Sequence, residues 1–177
     1  MQCVRILDAI LDQENAMWNR FAFDARTVNF HAIEIAQLAG SRILTPIHIL
    51  LGLLHEGAEE TVACNLLRDM GVSLSAIESE AKQHAYTGLP IFRGNDVQVS
   101  ASAQKVYSDA LNEARRFSLL NLDTEHILIG LAMCTDEAVS TILGNHGITP
   151  LRVQVALESQ FANLSPSIQY EFTVPRD

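Results

Sequence analysis

Two stretches decide how this chain reads: Thr45-Pro-Ile-His-Ile-Leu-Leu-Gly-Leu53 and Asp123-Thr-Glu-His-Ile-Leu-Ile-Gly-Leu131. Laid over each other at an offset of 78 positions, they match His48 with His126, Ile49 with Ile127, Leu50 with Leu128, Gly52 with Gly130 and Leu53 with Leu131. A fixed offset that persists along the chain marks a duplicated structural unit. Upstream it does persist, pairing Val28 with Val106, Ala32 with Ala110, Ala36 with Ala114 and Leu44 with Leu122. Downstream, Leu67 and Gly71 meet Leu143 and Gly147 at an offset of 76, which puts two extra residues in the first copy near 57–60. The sequence is a tandem duplication.

Each copy reads as four helices. In the first, an apolar stripe at 3–4 residue spacing (Val28, Ala32, Ile35, Ala36, Ala39) starts near Asp24 and stops at Gly40, a good residue just past a helix end. Thr45 then serves as N-cap, with Pro46 at the first helical position, for a helix running to about Gly57. A third helix is expected over about Glu60–Met70, ending at Gly71, and a fourth from the Ser73 cap to about Tyr86. The second copy repeats the punctuation. Ser100 caps the stripe Ala103, Val106, Ala110, Leu111 and Ala114, and Asp123 caps the His126 helix. Thr135 is expected to cap the next helix, ending at Gly147, and Thr149-Pro150 to open the last. The resulting division is residues 1–20 as an additional N-terminal helix, 21–86 and 100–162 as the two repeats, 87–99 as a linker, and 163–177 as a short tail. The apolar faces of one unit are too wide to be covered internally, so the copies are expected to share one all-α core, with the groove between them as the natural place for a ligand.

Composition narrows the function. The chain has 177 residues, Lys+Arg 12 against Asp+Glu 21, a net charge of −9, and 48% hydrophobic residues. That suits a folded core and argues against non-specific binding to nucleic acid or an anionic membrane surface, which needs clustered Lys and Arg. The two lysines, Lys82 and Lys105, stand outside any phosphate-binding loop pattern. No apolar run approaches the ~20 residues of a membrane span. Cys3, Cys64 and Cys134 are odd in number and far apart, which fits reduced thiols and a cytoplasmic setting. His55-Glu56 is close to a zinc-protease helix, but position 59 is Glu and Gly57 ends the helix. None of the six histidines forms an i,i+4 pair. No nucleophile–base pattern is visible. The chain is therefore read as a non-enzyme with no catalytic residue, metal or cofactor.

The candidate site lies in the duplicated block. His48 and His126 hold the same place in a helix first turn; the plain reading of each imidazole is a bond to the backbone that fixes helix packing. Glu125 offsets the helix dipole there, and it could also hold a guanidinium or ammonium group.

The duplicated Thr/Asp-x-x-His-Ile-Leu-[Leu/Ile]-Gly-Leu block, together with Val97–Val106 and Glu113-Ala-Arg-Arg116, resembles the Clp repeat found at the N-terminus of Clp-type AAA+ unfoldases, most like the C-type, over about residues 21–162. The resemblance implies a compact all-α module of two four-helix repeats that docks adaptors and protein substrates for Clp-dependent proteolysis. Its expected partners are Clp ATPase, adaptor or protease subunits. In C-type members it implies recognition of phosphorylated arginine through the Glu of each Thr-Glu-His motif. Here the second copy keeps Thr124, Glu125 and His126, which with His48 make up the candidate ligand-binding set; the first copy reads Pro46-Ile47-His48, so a carboxylate is replaced by an apolar side chain. The absence of an ATPase motif and the extra N-terminal segment are read as a stand-alone Clp-repeat protein. The alternative is a structural or assembly subunit that pairs with itself or with a Clp protease subunit.

Overall fold

In the computed structural model, the described residues are 21–55, 60–86, 91–92, 94, 97–119 and 121–163, with side chains described to residue 160. The expected N-terminal helix and the tail beyond residue 163 lie outside them. The described chain is all-helical, with eight helices and no closed sheet. The order is α1 (Phe23–Leu38), β1 (Ile43–Leu44), α2 (Pro46–Leu53), α3 (Val62–Asp69), α4 (Leu74–Ala85), β2 (Gln98–Val99), α5 (Ala101–Arg116), α6 (Thr124–Ala132), α7 (Glu137–Asn145) and α8 (Pro150–Asn163).

Local chemistry sets the helix starts. Ser73 and Ser100 accept hydrogen bonds from the amides of Ala76 and Ala103, and Thr61 from that of Cys64. One start differs from the sequence reading: Asp136, not Thr135, caps α7, its carboxylate accepting from Val139 N at 3.3 Å. A carboxylate at that position satisfies an open amide and also meets the positive end of the helix dipole. The third helix is shorter than expected because Thr61 takes the cap.

The two central helices are buried on almost every side. All eight residues of α2 are buried, as are Thr124 to Leu131 of α6, the pattern of helices enclosed by others. Each lies against the first helix of its own copy through a glycine. A Cβ at Gly52 would stand 2.5 Å from the Val28 carbonyl oxygen, and one at Gly130 would stand 2.3 Å from that of Val106. Buried residues of both copies form one continuous core, from Phe21 to Leu157.

The copies are joined by reciprocal extended pairings. The segment before α1 pairs with the segment before α6, Phe21 bridging Leu122 and Ala22 N donating to Leu122 O at 2.8 Å. The segment before α5 does the same to the first copy. Ile43 and Leu44 pair in parallel with Gln98 and Val99, and Ser100 N donates to Leu44 O at 2.9 Å. Each copy thus lends its leading segment to the other. The end of the expected linker is built into the fold in this way, with Val97 buried.

Candidate functional site

The first turn of α6 is assembled by its own caps. Asp123 is extended at the N-cap and its carboxylate accepts the Thr124 amide at 2.8 Å, while His126 Nδ1 accepts the Asp123 amide at 3.0 Å. The second bond fixes the tautomer. Because Nδ1 is an acceptor, the imidazole proton sits on Nε2. The first copy uses the same device, with Thr45 N donating to His48 Nδ1 at 3.1 Å and the Thr45 hydroxyl 2.9 Å from the same nitrogen. Burial lowers both imidazoles to about 4, so both are neutral at ordinary pH.

Glu125 lies in the first turn of α6, between Asp123 and His126 in the sequence, and is 6% exposed. Burial, reinforced by the negative charges of Asp123 and Asp24, pushes its carboxyl up to about 7, against the opposing pull of hydrogen bonds from its own amide and from Thr124. Its Oε1 is 3.3 Å from His126 Nδ1. With the imidazole neutral, that contact is not an ion pair. Its Oε2 has no hydrogen-bond partner among the described residues, and the same holds for Nε2 of His48 and of His126. A buried carboxylate oxygen without a donor is costly, and a cationic or N–H-rich ligand would relieve that cost.

Of the candidate residues, Thr124, Glu125 and His126 share this turn. Thr124 is fully buried, and its hydroxyl accepts the Ala63 amide of α3 at 3.3 Å, so it also ties the second copy to the first. His48 belongs to the corresponding turn of the first copy. There it lines a pocket of about 220 Å³ with Ala39, Ser41, Thr45, Ile47, His84 and Ala85. That pocket is made entirely of first-copy residues, whereas the sequence reading placed the ligand groove between the copies. His55 stacks on His31 with ring centroids 3.9 Å apart, and no group of three or more metal-ligating side chains converges among the described residues. Asp24 is the contributor that sequence reading missed. It stands at the start of α1, and only the pairing of Phe21 with Leu122 brings it near Glu125. No single described helix is long and apolar enough to cross a membrane.

A family model for the Clp repeat N-terminal domain matches residues 23–146. The negative regulator of genetic competence ClpC/MecB of Bacillus subtilis is 30% identical over 133 residues, covering 75% of this chain and 16% of that protein. The chain therefore spans about a sixth of the length of such curated relatives. In fold, it is similar to a chain from structural investigations of a malarial protein secretion system, with a TM-score of 0.71 and 21% identity over 82% of this chain and 97% of that one. It is similar also to the N-terminal domain of the caseinolytic-protease-associated chaperone ClpD of Arabidopsis thaliana, at a TM-score of 0.62 and 19% identity over 81% and 99%.

Proposed function

The chain belongs to the Clp repeat N-terminal domain family, and on that footing we propose that it is a non-catalytic protein-binding module that docks adaptors or substrates for Clp-dependent proteolysis. Within that role, Glu125 receives the guanidinium of an arginine-phosphorylated ligand, in one copy only, because Ile47 stands at the matching position of the other. The observation that carries the ligand reading is the buried Oε2 of Glu125, which has no hydrogen-bond partner among the described residues. A guanidinium supplies both the charge and the N–H donors that this oxygen lacks.

The ionisation state gives the reading a pH signature. Glu125 titrates at about 7 when empty, and only its carboxylate can form the ion pair. Binding therefore expels a proton at neutral pH, and affinity falls about tenfold per pH unit below 7. Calorimetry with phosphoarginine in buffers of different ionisation enthalpy measures this directly. Glu125→Ala is expected to abolish binding, and Ile47→Ala to leave the charge preference unchanged. Absence of phosphoarginine binding by the wild type overturns the ligand assignment. A pull-down that recovers no Clp subunit, adaptor or protease substrate overturns the docking role.

A further inference from the structure

The two copies differ around the pocket at the start of α2. Ala39 lines that pocket, and the residue at the same place in the second copy is Phe117, which packs against the core. The first copy thus carries a methyl group where its sister carries a ring. No acidic, Lys or Arg side chain lines the space, and the imidazole of His48 inside it is 4% exposed, with its Nε2 proton unpartnered among the described residues. Within two positions of lining residues in the sequence, three apolar side chains face solvent: Leu38 at 51%, Ile43 at 47% and Tyr86 at 42%. At the positions of Leu38 and Ile43 the second copy carries Arg116 and Asn121. A hollow with no acidic, Lys or Arg side chain in its lining, and with exposed apolar residues close by in the sequence, favours an apolar occupant, because burying a charge there without a partner is costly. A volume of about 220 Å³ lies below the ~300–1,000 Å³ of pockets that take drug-sized ligands, and suits a single side chain.

We propose that the first-copy pocket, lined by Ala39, Ile47, His48 and Ala85, binds an uncharged aromatic side chain of the protein ligand, a ring of the kind that Phe117 provides at the position of Ala39 in the second copy. This rests on the protein-binding reading above and extends it. The two copies then read different features of one ligand, an apolar anchor in the first and a cationic group in the second.

The probe is N-acetyl-phenylalaninamide, titrated at millimolar concentration into the full chain and followed by the methyl resonances of Ala39, Ile47 and Ala85, with N-acetyl-argininamide as the comparison. Saturable shifts of those methyls with the phenylalanine probe are expected. Ala39→Phe restores the ring of the second copy and is expected to weaken the probe at least about tenfold. Tyr86→Ala alters an exposed residue, leaves the fold intact, and is expected to weaken it less. Shifts that do not saturate, or an unchanged response in Ala39→Phe, overturn the pocket assignment. A second readout separates this from failure of the parent reading, using permanently unfolded casein as a protein ligand. Casein binding by the wild type that Ala39→Phe leaves unchanged overturns the pocket alone. Wild type that binds neither casein nor phosphoarginine overturns the protein-binding reading, and the pocket proposal with it.

Discussion

Glu125 is where the proposed ligand contact and stability oppose each other. Its carboxyl titrates at about 7 in the fold against an ordinary 4.5, so the folded state favours the protonated form. Its contribution is complete below pH 4.5 and is lost as pH rises through 7, by up to about 3 kcal/mol. Glu125→Gln should therefore be more stable than wild type at pH 8 by that order and equal to it at pH 4, as urea denaturation at the two pH values would show. His48 and His126 act in the opposite direction. Their folded values of about 4 lie below the ordinary 6.5, so the stability they confer is present above 6.5 and is lost as pH falls toward 4. A cruder residue effect sits at Ser118, which holds φ 58° at the end of α5, where the first copy places Gly40 at φ 74°. The left-handed region costs a residue with a Cβ about 1–2 kcal/mol, partly offset by the greater unfolded-state freedom of glycine. Ser118→Gly should raise stability by about 0.5–1 kcal/mol, measurable as a higher midpoint in thermal unfolding.

At the scale of helices, the two glycine contacts govern how each copy's first pair packs. Backbone meets backbone at Gly52 against Val28 and at Gly130 against Val106, so a methyl group at either place cannot be absorbed by turning a side chain. Gly52→Ala and Gly130→Ala should each cost about 1–3 kcal/mol or more through forced separation of the helices. Gly144 in α7 is the control, since nothing lies within 4 Å of where its Cβ would be. Gly144→Ala should be neutral or stabilising by up to about 1 kcal/mol; equal losses at all three positions in chemical denaturation would refute the close-packing account. The glycine pair was visible in the sequence as a repeat match, and so were the caps Thr45, Ser73, Ser100 and Asp123, because capping is decided within about four residues of chain. The cap on α7 was misjudged by one residue because Thr135 and Asp136 are both competent, and only backbone geometry selects between them.

At the scale of the molecule, the copies embrace symmetrically. Residues 21–22 pair with Leu122, and residues 99–100 with Leu44, each the repeat-equivalent of the other; such reciprocity marks a two-fold-like arrangement within one chain. Asn29 and Tyr107 are themselves equivalent positions, and they meet where the copies join, the tyrosine hydroxyl donating to Asn29 Oδ1. Burial pushes the pKa of that hydroxyl up, so it stays protonated and a donor. Tyr107→Phe leaves Asn29 Oδ1 without its donor and should destabilise by about 1–3 kcal/mol; an unchanged urea midpoint would show that the junction does not depend on this bond. The sequence by itself determined the duplication, the all-helical class, most helix ends and the one-sided placement of the Thr124-Glu125-His126 turn. These follow from periodicity, capping and repeat comparison, which are properties of neighbours along the chain. Only the tertiary structure decided that each copy donates its leading segment to the other, that Asp24 stands near Glu125, and that a pocket opens in the first copy beside Ala39. Those depend on which surfaces meet from far apart along the chain, where burial and juxtaposed charge, rather than local preference, set the chemistry.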